Sequence, residues 1–375
     1  MSEVNVEMTS SSNAPTLQPD ELTLHLIASG VTQLAQKVSN GVAPTLPYPI
    51  PLQKGLDRLV VACLRQQKAP PQGIPDLLAW CRRPLVEWQL ALPPDAISPE
   101  DRLLDGQLPT SICEEWACTI PHVEDELTQS RLMQSVFEIC RSAEAPDSYV
   151  AFRRLLISKP VLTAFELLQH CAEPQLERLT DQIRAAYEPA PDACVVEENF
   201  HCCPSCNNLM LCTVSGNLVC SDECCRAAKT GGEGRKIPKR QGVHWLKRGL
   251  RRFIAAPGRV ELRLAEQLRD LKLDVELWPA FDSYDLRLVF PDGETWAVDV
   301  KDWASPFHLA RQVKPIPSYP PWQKAYFVFP DARRQQRSDY LRAFRNHCPL
   351  PRQQAKAAFE SDFINQVKRK RRECQ

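Results

Sequence analysis

Twenty residues, Tyr284 to Trp303, leave the chain little choice of local structure. Strand-favouring side chains run from Leu286 to Phe290, break at Pro291-Asp292-Gly293-Glu294 and resume from Thr295 to Val300, the pattern of a β-hairpin. Strand side chains alternate between faces, so Ala297, Asp299 and Lys301 share one side while Trp296, Val298 and Val300 take the other. Two carboxylates that share a cation must point the same way. A two-residue loop would set Asp285 opposite Val300, on the wrong face, whereas a three-residue loop with Gly293 in a left-handed bulge sets it opposite Asp299. A bulge at Gly293 is therefore expected.

A chain of 375 residues exceeds one ordinary domain, and an apolar content of 43% suffices for sizeable cores. The formal net charge is zero, but its distribution is uneven. From Arg226 to Arg259 eleven Lys or Arg face one acid, Glu233, and the chain closes on Lys368-Arg369-Lys370-Arg371-Arg372. Such stretches suit an anionic polymer, with a solvated linker and a frayed tail as the plainer reading. No charged start precedes an apolar run, and no apolar stretch nears the roughly 18 residues that span a bilayer. A soluble, cytoplasmic protein without membrane contact is expected.

Residues 1–19 are polar and rich in Ser and Pro, and read as a disordered leader. Residues 20–190 read as an all-helical domain of unknown role, with helices expected at Glu124–Ser142, Ser148–Ser158, Val161–Cys171 and Pro174–Tyr187. No catalytic spacing occurs there, and His25, His122 and His170 read as packing or surface histidines.

Residues 191–230 change character, because seven of the sixteen cysteines crowd between Cys202 and Cys225. Two short Cys turns around a hairpin supply the four thiolates that tetrahedral Zn²⁺ takes. Cys203, Cys206, Cys220 and Cys224 are the expected ligands, with Cys202, Cys212, Cys225 and His201 in reserve. A redox or merely buried cysteine cluster is the alternative. Residues 231–257 read as a basic linker and a helix from His244 to Phe253. Lys247, Arg248, Arg251 and Arg252 are expected on its exposed side, spaced to follow a phosphate backbone.

Residues 258–375 give a helix at Arg259–Leu271, a strand at Asp274–Trp278, the hairpin, a helix opened by Ser305-Pro306, and a buried strand at Ala325–Phe329. An acid two positions before a lysine occurs twice, at Asp270-Leu271-Lys272 and Asp299-Val300-Lys301. The first ends a helix, where residues two apart do not share a face. The second, with Asp285 across the hairpin, resembles the PD-(D/E)xK nucleases of restriction-endonuclease-like fold, although Tyr284 replaces the proline. The resemblance implies Asp285 and Asp299 as Mg²⁺ ligands, Lys301 as the cation that orients the attacking water, and Glu261, rather than Glu266, as the acid from the preceding helix.

The signatures Tyr284-Asp285-Leu286-Arg287 and Val298-Asp299-Val300-Lys301-Asp302-Trp303 are similar to those of the nuclease subunit encoded beside Piwi-like proteins of the pPIWI-RE type. That resemblance implies a Piwi-like protein and a helicase as partners in prokaryotic defence against invading DNA. The expected architecture is multidomain, α plus α/β: an amino-terminal all-helical domain, a zinc-ribbon-like module and a carboxy-terminal restriction-endonuclease-like α/β domain. The expected activity is Mg²⁺-dependent hydrolysis of phosphodiester bonds in DNA, with RNA as another substrate the motif admits. The alternative is a non-enzymatic nucleic-acid-binding adaptor that uses the zinc ribbon and the helical domain.

Overall fold

The structure is a computed structural model that describes residues 18–39, 46–118, 124–213, 216–227, 232, 234–352, 354 and 356–374. Nearly all of the expected leader, together with His122, Ser215, Gly231 and Glu233, lies outside the described residues. The architecture is mixed α plus α/β, with small sheets and one five-stranded sheet near the carboxy terminus.

That sheet orders its strands as Asp274–Leu277, Leu286–Val289, Thr295–Val300, Lys324–Phe329 and Lys356–Phe359. The first two pairings are antiparallel and the last two parallel. Parallel neighbours need a crossover, supplied by helix Pro306–Gln312 before the fourth strand and by helices Asp331–Gln336 and Tyr340–His347 before the fifth. Both faces are covered. Trp296, Val298, Val300 and Val328 pack against Leu264, Leu268 and Phe363, while Ala297, Phe327 and Phe329 pack against Leu309, Tyr340 and Phe344. The continuous apolar run at Ala325–Phe329 is what such a two-sided burial requires. The fifth strand, Lys-Ala-Ala-Phe, lacks β-branched residues and carries no strand signal of its own.

The hairpin takes the expected register. Leu286 pairs with Val298 and Val289 with Thr295, and Phe290 closes the loop through its N–H to the Glu294 carbonyl at 2.9 Å. Extending that pairing sets Asp285 opposite Asp299. Gly293 has φ +83°, which its missing Cβ allows.

The first helices, Pro19–Ser39 and Ile50–Arg65, bury Leu24, Ile27, Leu52 and Leu59 in a core that Phe307 joins from the carboxy-terminal part. Farther along, Phe152, Leu156, Leu179 and Ile183 share one core with the helix Ala256–Asp270 and the five-stranded sheet. The part expected to be all-helical also holds short strands, Leu104–Asp105, Leu108–Pro109, Val161–Thr163 and Tyr187–Pro189, the third where a helix was expected from Val161. Residues 243–246 differ from expectation as well. Val243–Leu246 is a strand, paired with Val161–Thr163 on one side and Tyr187–Pro189 on the other. Its β-branched and aromatic side chains find two partner strands, and pairing outweighs the local helical pattern. Helix starts at Arg248, widens to a π-turn over Arg251–Ala255 and continues to Asp270. Among the described residues no helix is long and apolar enough to cross a membrane.

Candidate functional site

A cavity of about 290 Å³ opens beside the hairpin, lined by Glu261, Asp282, Asp285, Asp299 and Lys301 together with Arg153. Asp285 leads into the first hairpin strand and is 8% exposed, and its Oδ2 accepts the Val300 N–H at 2.6 Å. Burial, then the charges of Glu261 and Asp299, push its carboxyl well above the usual range. Lys301 follows the second strand, held by its N–H to the Val328 carbonyl, and its Nζ lies 2.6 Å from Asp299 Oδ1. Burial works against the ammonium, but Asp299 and Asp285 outweigh it and keep it charged. Carboxylates crowded in this way, short of counter-charge, form the oxygen donor set that hard divalent cations accept.

Glu261 lines the same cavity but faces other partners. It is 2% exposed, and its Oε2 accepts from Arg153 Nη2 at 3.0 Å and from the Trp278 indole at 2.5 Å. Arg153 comes from helix Pro146–Ser158 and also donates through Nη1 to Asp282 at 2.9 Å, where the Tyr149 hydroxyl donates at 3.0 Å. Neither Arg153 nor Asp282 was expected here. Arg153 lies 108 residues from Glu261 in sequence, and no spacing rule links them.

Asp282 reaches the cavity through an unusual turn. Trp278, Ala280, Phe281 and Asp282 have φ of 48°, 49°, 59° and 73°, a left-handed stretch without glycine. Each such residue costs about 1–2 kcal/mol. The Glu261, Arg153 and Tyr149 contacts hold the turn, and Phe281 packs edge-on against Phe137 and Tyr149.

The cysteine segment forms a second centre. Met210–Cys212 and Leu218–Cys220 pair as a two-stranded hairpin. The Cys203–Cys206 turn closes through the Asn207 N–H to the Cys203 carbonyl at 3.0 Å, with Asn207 left-handed at φ 58°. The thiols of Cys203, Cys206, Cys220 and Cys225 lie within 4.8 Å of one another, and this group could hold a metal ion such as zinc. The fourth member is Cys225, where Cys224 was expected. Both sit on the short helix Glu223–Ala227, where neighbours point about 100° apart, so one alone can face the cluster. Cys224 instead lines the same cleft as Arg333 and Asp302, and burial raises its thiol to about 11. The carboxylates of Glu261, Asp285 and Asp299 form no comparably close group among the described residues; Asp299 pairs with Lys301 and Glu261 with Arg153.

The basic residues 247–252 are not an exposed face. Arg248 pairs with Glu114, Arg252 with Glu114 and Glu115, and Arg251 stacks 3.5 Å over Trp245. Lys247 is half-buried. Acids contributed by the helical part neutralise the arginines that the linker supplies. Arg248, Arg251 and Arg252 also line a cleft of about 790 Å³ that the cysteine centre borders, and Arg252 and Asp302 line this cleft and the hairpin cavity alike.

Residues 258–375 match the family described as REase associating with pPIWI_RE, and residues 23–163 match the pPIWI_RE three-gene island domain Y. Neither the curated proteins nor the solved structures contain a match to the chain. The two family matches support a pPIWI-RE-associated REase and a nuclease role in defence.

Proposed function

We propose that this chain, a pPIWI-RE-associated REase carrying domain Y ahead of its nuclease region, is a Mg²⁺-dependent endonuclease that hydrolyses phosphodiester bonds of invading DNA in the cytoplasm. A Piwi-like protein and a helicase would be its partners. The observation that carries the reading is the register that sets Asp285 opposite Asp299, with Lys301 at 2.6 Å from Asp299, in one cavity. Asp285 and Asp299 offer the carboxylate oxygens that would hold Mg²⁺. The ion, when bound, supplies the positive charge that offsets negative charge growing on the phosphoryl oxygens.

Lys301 acts on the attacking water. Its ammonium donates to that water, aligns it with the phosphorus and favours its deprotonated form. The fold fixes the lysine through the Val328 carbonyl, so its reach is set by the sheet and not by a flexible loop. Cys203, Cys206, Cys220 and Cys225 would hold a structural Zn²⁺ that stabilises a ribbon too small to build a core.

The test is Asp299→Ala and Lys301→Ala in the full chain. Each should abolish cleavage in Mg²⁺ while DNA binding and the unfolding midpoint remain. Persistent cutting by either purified variant overturns the assignment, and binding without cleavage in the wild type would favour an adaptor.

A further inference from the structure

The hairpin cavity is not built by the REase region alone. Arg153 lies in the stretch that matches domain Y, yet it is 5% exposed among REase residues. It forks between Glu261 and Asp282 and stands 5.0 Å from the centre of the Trp278 ring. Its Nε is buried with no hydrogen-bond partner among the described residues. Burying a guanidinium is costly unless nearby charges hold it, and an apolar side chain would fill the same space more cheaply.

The charges in the cavity give the arginine a purpose. Five acids line the cavity, Glu261, Asp282, Asp285, Asp299 and Asp302, against three bases, Arg153, Arg252 and Lys301. With all eight ionised, as divalent-ion binding would require of the acids, two negative charges remain, matched by one divalent cation. Without Arg153 three would remain, which one such ion leaves unbalanced. We propose that Arg153 is a positioning residue of the nuclease site. It orients Glu261 and Asp282 and sets the cavity charge to that of a single divalent ion, so that domain Y completes the site in cis. This inference rests on the nuclease reading above.

The experiment uses the full chain with Arg153→Gln and Arg153→Lys, and Mn²⁺ as the probe. Three quantities are read: Mn²⁺ affinity by electron paramagnetic resonance, the unfolding midpoint with and without Mn²⁺, and Mg²⁺-dependent cleavage. Arg153→Gln should bind Mn²⁺ about tenfold or more tightly, since one repelling charge is gone. Mn²⁺ should raise its midpoint more than that of the wild type. Its cleavage should fall by about a hundredfold, because the acids lose their orientation. Arg153→Lys keeps the charge but not the fork, so Mn²⁺ affinity should stay near wild type while cleavage still falls.

An arginine that serves packing alone would lower the midpoint and leave Mn²⁺ affinity unchanged, and that result overturns the proposal. If Arg153→Gln does not fold, Arg153→Lys decides, and wild-type cleavage by it overturns the proposal. Asp299→Ala separates the two readings. If it loses Mn²⁺ while the Arg153 variants match wild type, this inference alone falls. If it binds Mn²⁺ as the wild type does, the nuclease reading falls too.

Discussion

Gly258→Ala tests how closely two helices must meet for the cavity to form. Helix Ala256–Asp270 crosses helix Pro146–Ser158 at Gly258, where an added Cβ would stand 2.4 Å from Cδ1 and Cγ1 of Ile157. Ordinary contact begins at 3.4 Å, so one methyl group forces a separation of up to 1.0 Å, the difference between 3.4 and 2.4. Glu261 lies three residues beyond Gly258, and Arg153 four residues before Ile157, so the shift acts on their 3.0 Å bond. Lengthened toward about 4 Å, that bond is lost. Overpacking costs about 1–3 kcal/mol and the lost charged hydrogen bond about 1.5–3, against about 1 regained by replacing glycine in a helix. A net loss of about 1.5–5 kcal/mol follows. Denaturant titration should show it, with reduced Mg²⁺-dependent cleavage. Adding Ile157→Ala should give a double variant less destabilised than the sum of the singles by at least about 1 kcal/mol. Wild-type stability and activity for Gly258→Ala would refute the argument.

Three further outcomes follow from named contacts. Cys225→Ser should lose the bound metal and the fold of the 203–225 segment, whereas Cys224→Ser should keep about one zinc per chain by metal analysis. The reverse pattern would restore Cys224 as the ligand. Burial holds the His25 and His308 imidazoles below their ordinary range, so the folded state binds these protons less readily than the unfolded chain. Their contribution is complete above the unfolded value of about 6.5 and is lost progressively as pH falls from there through the lower folded-state values. His308→Gln should therefore flatten the fall in unfolding midpoint between pH 7.5 and 5.5. Ser305 accepts the His308 N–H at 3.2 Å as the cap of helix Pro306–Gln312, and Ser305→Ala should cost about 1 kcal/mol in denaturant titration.

What the sequence made legible was local. The hairpin register follows from strand alternation and one glycine, and extending it sets Asp285 opposite Asp299. The cap at Ser305 is likewise written in adjacent residues. Helix phase within Glu223–Ala227 was not, because two consecutive cysteines offer equal chemistry and the turn before them decides which faces inward. The linker arginines read as a binding face because their partners, Glu114 and Glu115, lie more than 130 residues away. Arg153 was illegible for the same reason. Its role depends on a helix crossing that no periodicity records.

The proposed Mg²⁺-dependent site of Asp285, Asp299 and Lys301 would cut phosphodiester bonds. Its most direct test is cleavage by the wild-type chain on single-stranded, double-stranded and RNA-paired DNA, with and without Mg²⁺ and with and without a Piwi-like partner. Internal cuts in DNA that require Mg²⁺ are the expected result. Failure to cut any of these substrates under every condition, or cutting that persists without a divalent ion, would contradict it.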